Sequence, residues 1–344
     1  MLYKKIVFIF FTLCFSSSSF SQVLVLDSAK NINSIVADTI KTKPKQKEYN
    51  VGNGKIFVYQ KPRIFSFLTK LPKDAAGIGT TIFQRKSIKP LLFIAGTTAL
   101  LMLTDESISQ GVSIFSDKIH LRPEESYKDI LSLKFGNIST SLLKAPQNIN
   151  TALYQFGQGF PSLLIGAGLF TYGKIYKDYR AISTASQLTE TFILMGVGTQ
   201  LLKRITGRQS PSETANLDGA WQPFPSFKNF QHHTPSYDAF PSGHLATLMS
   251  TVTVLADNYP EYRWIKPIGY SMIGLVGYSM INNRVHWASD YPLAIALGYL
   301  CAKQVVKNNR KVVKTSATGR PKATLAYTVN YVNGRLMPGV VYKF

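Results

Sequence analysis

The chain has 344 residues, 45% of them hydrophobic and 17% charged, with a formal net charge of +21. Such a surplus suits a nucleic-acid binder, but no basic repeat or aromatic platform accompanies it, and anionic phospholipid surfaces or phosphorylated substrates fit better. The two cysteines, Cys14 and Cys301, exclude a thiolate metal site.

Residues 1–21 read as a signal peptide, with Lys4 and Lys5 before the apolar run 6–15 and small residues before Gln22. Ten apolar residues are too few to span a bilayer. Its removal leaves a charge of +19 and Cys301 alone, so no intramolecular disulfide can form in the oxidising compartment beyond. Export also removes the usual nucleic-acid partners. Residues 22–60 are polar, rich in Lys, Asn, Ser and Thr, and are expected to be a flexible leader. The basic, aromatic stretch 63–71 is suited to a membrane surface.

Long segments almost without charge follow, at 90–104, 145–173, 181–202, 239–256, 267–283 and 291–302. Only some approach the length of about 20 residues that a helical span needs. Their Gly, Ser and Thr content suits close helix packing in lipid, and equally the core of a soluble bundle. The mean hydropathy of +0.02 averages polar ends with an apolar middle and does not separate the two. We expect an all-α helical core over 61–312, with membrane embedding favoured. In the tail, 313–344, Asn333-Gly334 lies between two alternating stretches and predicts a β-hairpin.

Three stretches carry chemistry. Pro241-Ser242-Gly243-His244 precedes the apolar run 245–256 and reads as a capped helix start. The first turn of a helix offers free N–H groups to an anion, and His244 there could pass it a proton. Upstream, Lys203-Arg204-Ile205-Thr206-Gly207-Arg208 ends an apolar helix. Its cations either complement the helix dipole or, as Lys203 and Arg208, reach one phosphate. Downstream, His286 and Asp290 are four residues apart and share a face if the stretch is helical. A carboxylate on one ring nitrogen would leave the other free as a nucleophile, although such a pair can also be a plain surface contact. His232, His233 and His120 have no neighbours that compel a role.

In order and spacing, these blocks resemble the type-2 phosphatidic acid phosphatase superfamily, whose motifs are Lys-x6-Arg-Pro, Pro-Ser-Gly-His and Ser-Arg-x5-His-x3-Asp. The resemblance covers about 181–302. The middle motif is complete, as is His286-x3-Asp290. Two arginines are missing: Ser210 and Met280 stand in their places. Arg208, two residues before Ser210, and Arg284, one helical turn after Met280, are the expected substitutes.

The resemblance implies a helical-bundle phosphatase. In it, Asp290 orients His286, which attacks phosphorus to give a phosphohistidine, and His244 serves as acid and then base. Lys203, Arg208, Ser242, the Gly243 N–H and Arg284 bind the phosphate. It implies no cofactor and no metal. The expected partner is a lipid phosphate or diphosphate at a membrane, with the site facing the periplasm and outer-membrane association also open. No protein partner is indicated. A soluble periplasmic acid phosphatase of broad specificity and a degenerate member that binds anionic lipid with little turnover are the rival expectations.

Overall fold

The computed structural model describes residues 46–343 apart from Ile64, 136–137, 214–218, 315–323 and 333–334. The expected signal peptide, residues 22–45 of the leader and the Asn333-Gly334 turn lie outside the described residues.

The chain is mostly helical. The main helices are α1 (Leu71–Ile82), α2 (Ile88–Met102), α3 (Asp105–Lys118), α4 (Ile149–Gly157), α5 (Gly159–Ile175), α6 (Tyr179–Thr206), α7 (Gly243–Asn258), α8 (Ile265–Asn282) and α9 (Tyr291–Asn309). Strands β1 (Gln46–Asn50), β2 (Lys55–Gln60) and β5 (Lys311–Lys314) form one antiparallel sheet in that order. Strands β3 (Tyr127–Phe135) and β4 (Ile138–Pro146) pair as a ribbon, as do β6 (Thr324–Val332) and β7 (Arg335–Lys343). The expected C-terminal strand pair is present.

Helix α7 is the axis of the core. Twelve of its 16 residues are buried, and it packs against α6, α8 and α9. Close approach to α9 depends on Gly298, where a Cβ would run into the Ala246 carbonyl. Helix α6 opens with the Asp178 carboxylate accepting the Ala181 N–H at 3.1 Å. It closes at Gly207, which takes the left-handed conformation (φ 55°) that glycine tolerates. Its buried residues Thr184, Leu188, Thr191, Met195, Thr199 and Lys203 recur at three- and four-residue intervals, so one continuous stripe carries Lys203 into the core.

The structure differs from the sequence reading in three places. Residues 46–60, expected as leader, form the β1–β2 hairpin, with Val51, Phe57 and Tyr59 buried. Their third strand, β5, lies some 250 residues away, and no local pattern announces it. The ribbon β3–β4 interrupts the expected all-helical region. The apolar stretch 145–173 breaks at Gln158, whose extended backbone (ψ 158°) separates α4 from α5.

Among the described residues no single helix is long and apolar enough to cross a membrane. The helical pair Arg85–Met102 and Asp105–Lys118 meets the length and composition test only jointly, across a 65° bend. The outer faces nonetheless expose many large apolar side chains, including Leu92 and Phe93 on α2, Leu163 and Phe170 on α5, and Val197 and Leu201 on α6.

Candidate active site

The N-terminus of α7 organises the site. Ser242 is its cap: Oγ accepts the Leu245 N–H at 3.5 Å and lies 3.6 Å from Met280 Sδ. The Ser242 N–H donates to the Asp290 carbonyl at 3.2 Å, joining this helix start to the His286 loop. Ser242 is fully buried, so its hydroxyl is engaged in the helix end. Lys203, at the end of the α6 stripe, is 6% exposed. Its Nζ donates to Asp238 Oδ2 at 3.2 Å and sits 3.9 Å from where a Cβ on Gly243 would be. The expected cation is therefore beside the helix N-terminus, with Asp238 as a partner the sequence reading missed.

His244 lies in the first turn of α7. Its ring packs on Tyr154 of α4 (centroids 4.6 Å apart) and meets the His286 ring edge to face at 5.9 Å. Two histidines 42 residues apart in sequence thus face one another. Burial first, then the neighbouring His286 and Lys203, pushes the His244 pKa down to about 3. The imidazole is therefore uncharged at neutral pH.

His286 and Asp290 are not on a helix, contrary to the expectation. Helix α8 ends at Asn282, Arg284 turns the chain with φ 55°, and a 3-10 turn, Ala288–Asp290, follows. That turn places His286 Nδ1 3.4 Å from Asp290 Oδ2, an ion-pair distance without hydrogen-bond alignment. The carboxylate is fixed by other donors: the Trp287 N–H to Oδ2 at 2.8 Å and Arg208 Nη1 to Oδ1 at 2.6 Å.

Arg208 departs most from the sequence reading. Arg208 is 1% exposed. It donates to Asp290, to Ser289 Oγ at 2.6 Å and to Asp105 Oδ2 at 2.8 Å, flanked by the rings of Trp221 and Trp287. Asp105, the first residue of α3, also accepts the Ser289 N–H at 3.0 Å and the Ser289 hydroxyl. The described contacts tie Arg208 to the Asp290 carboxylate, Ser289 and Asp105, whereas the sequence reading expected it to reach a phosphate. In sequence Asp105 shows only as an acid in the first turn of a helix, 103 residues from its partner.

Arg284 also differs. It is not one turn after Met280 on a helix, and its Nη2 donates to the Pro211 carbonyl at 3.1 Å. Met280 is fully buried against the Ser242 hydroxyl. Ser279 donates to the Asn150 carbonyl at 2.9 Å. His232 and His233 are exposed. Among the described residues, no three His, Cys, Asp or Glu side chains converge as a metal site.

The PAP2 superfamily model matches residues 184–313. This span contains Lys203, the Ser242–His244 helix start, His286 and Asp290, and excludes Asp105 and Tyr154. Lipid A 1-phosphatase of Porphyromonas gingivalis is 33% identical over 76 residues, 22% of this chain and only 17% of that protein's length. Among solved structures, Aquifex aeolicus LpxE is 22% identical over 46% of this chain and 83% of its own, with a TM-score of 0.35. The first transmembrane PAP2 type phosphatidylglycerolphosphate phosphatase from Bacillus subtilis is 16% identical over 71% and 96%, also at 0.35. With the motif order preserved and the two histidines brought face to face, the segment 184–313 belongs to the PAP2 superfamily.

Proposed function

We propose that this protein is a phosphatase acting on a lipid phosphate or diphosphate through a phosphohistidine intermediate. The observation that carries the reading is the convergence of His244 and His286, 5.9 Å apart, beside Lys203 and the N-terminus of α7. An in-line displacement needs a nucleophile and an acid on opposite sides of one phosphorus, and two facing imidazoles supply that pair.

His286, oriented by Asp290, attacks phosphorus through its second ring nitrogen. The P–O ester bond breaks, and the leaving oxygen takes a proton from His244, which the bound anion has brought to its imidazolium form. Neutral again, His244 takes a proton from water as that oxygen attacks the phosphorus. The P–N bond then breaks, its electron pair returns to His286, and phosphate departs. Lys203 and the N–H groups starting at Gly243 offset charge on the equatorial oxygens. Ser242 fixes the helix start that presents them, and Arg208, tied to Asp105, holds Asp290. Arg284 steadies the loop at Pro211. Every role is filled by a side chain or a backbone N–H, so turnover should survive chelators.

The apolar outer faces of α2, α5 and α6 favour a substrate and a protein both held at a bilayer, and the similarity to lipid A 1-phosphatase points to the same substrate class. We place the protein in the exported fraction, with the site on the periplasmic side of the cell membrane. A second reading, an anionic-lipid binder with little turnover, draws on Ser210 and Met280 at the family's arginine positions and on Arg208 being tied to Asp105 and Asp290.

Phosphate release from phosphatidate, phosphatidylglycerophosphate, polyprenyl diphosphate, lipid A and small phosphomonoesters, with and without detergent, tests the proposal. Lipid phosphates should turn over fastest, and His286→Ala should abolish both turnover and the acid-labile phosphoryl label on the protein. Full activity in His286→Ala would overturn the mechanism. Binding without release in the native chain would establish the second reading.

A further inference from the structure

One recess is lined by none of Lys203, His244, His286 and Asp290. It has a volume of about 590 Å³ and runs between α5 and α6, with apolar walls that include Leu163, Phe170, Ile182 and Leu188. On α6 it extends from Tyr179 to Phe192, roughly 20 Å at 1.5 Å per residue. That is somewhat more than half of a bilayer's hydrocarbon core of about 30 Å, the depth of one acyl chain. Lys203 lies a further 11 residues along the same helix, or about 16 Å.

The border of the recess carries four cations. Lys61, Arg63, Lys174 and Lys177 border it, all four are exposed, and among the described residues none pairs with a carboxylate. Asp178, the nearest acid in sequence, is engaged by the Tyr49 hydroxyl at 2.8 Å and the Ala181 N–H. Lys61 and Arg63 also border an adjoining polar recess of about 500 Å³ that includes Lys70, Arg310 and Lys311. The border shared by the two recesses is therefore rich in basic side chains. An apolar trough with a basic border matches a molecule that has a hydrocarbon tail and an anionic head.

We propose that this groove binds one anionic phospholipid, with its phosphate at Lys61, Arg63, Lys174 and Lys177 and an acyl chain between α5 and α6. The site lies at the far end of α6 from Lys203 and is independent of the phosphatase reading. It would anchor the protein in lipid at the end opposite the catalytic histidines.

Native mass spectrometry of the full chain in detergent, titrated with phosphatidylglycerol or phosphatidylcholine, tests this. Phosphatidylglycerol is a phosphodiester with no terminal phosphoryl group for the histidines to remove, so turnover does not confound the measurement. The native chain should retain phosphatidylglycerol in preference to phosphatidylcholine. The double variant Lys61→Gln/Arg63→Gln should weaken phosphatidylglycerol about 10- to 30-fold and leave phosphatidylcholine unchanged. Ala167→Trp, which fills the trough, should weaken both lipids, while His244→Ala/His286→Ala should change neither. Equal retention of the two lipids, or phosphatidylglycerol binding that survives the charge variant or disappears with the histidine variant, would overturn the proposal. Binding that appears only after residues 22–45 are removed would also overturn it, by making the chain's own leader the occupant.

Discussion

Two buried pairs of acids in this molecule are held by opposite means. Beside the histidines, Asp105 and Asp290 flank the Arg208 guanidinium at 2.8 and 2.6 Å. Elsewhere in the bundle, Asp74 of α1 and Glu190 of α6 are fully buried with amides as their main donors. Asn308 donates to Asp74, and Asn309 donates to Glu190 at 2.9 Å. Lys70, the nearby cation, gives its hydrogen bond to Asn309. The remaining oxygens, Asp74 Oδ2 and Glu190 Oε1, meet no hydrogen-bond partner among the described residues. Burial first, then the neighbouring Asp74, raises the Glu190 pKa to about 9. A guanidinium between two carboxylates offsets both charges and leaves Asp290 available to the imidazole. Without a cation between the acids, burial keeps the proton on Glu190, and the cluster becomes sensitive to pH.

The largest expected effect breaks the first cluster. Arg208→Met strands two buried carboxylates and should destabilise the fold by about 3–5 kcal/mol, read by denaturant unfolding, and turnover should fall with the loss of a held Asp290. A change below about 1 kcal/mol would mean that solvent or rearrangement replaces the guanidinium.

Asp105→Asn is gentler. It keeps the shape and some hydrogen bonding, and should cost about 1–3 kcal/mol. Because Asp105 acts through Arg208 and Asp290, kcat should fall with KM nearly constant. A rise in KM alone would place Asp105 in substrate binding.

Glu190→Gln addresses the second cluster. With its folded pKa raised above the unfolded value, Glu190 keeps its proton in the native state while the unfolded chain loses it. Its contribution is therefore fully present below about pH 4.3 and is lost as pH rises toward 9. Wild-type stability should decline over that window by up to about 1.4 kcal/mol per pH unit, and the variant should flatten the decline. Identical slopes would show that Glu190 does not hold its proton in the native state.

The smallest effect is expected from Arg284→Ala. One hydrogen bond to the Pro211 carbonyl is lost, at about 0.5–1.5 kcal/mol of stability, with kcat/KM changing only a few-fold. A tenfold or greater loss of kcat/KM would restore Arg284 as a phosphate ligand.

Local chemistry in the sequence determined several features without reference to the rest of the chain. A serine before an apolar run caps α7, Gly207 stops α6, and a three- and four-residue stripe delivers Lys203 inward. The three motifs were legible because each needs only its own neighbours. Tertiary structure alone decided what the charged side chains touch. Arg208 was visible as a cation near a helix end, yet its partners lie 103 residues before it and 82 after it. The expected extension of α8 to Arg284 failed because the chain reverses after Asn282 to bring His286 toward His244. Tyr154 joined the site only through the docking of α4 on α8, and β5 completed a sheet with strands far upstream. Helix caps and apolar stripes are set by neighbours within a turn or two, whereas the partner of a buried charge is whichever group the packed core brings to it.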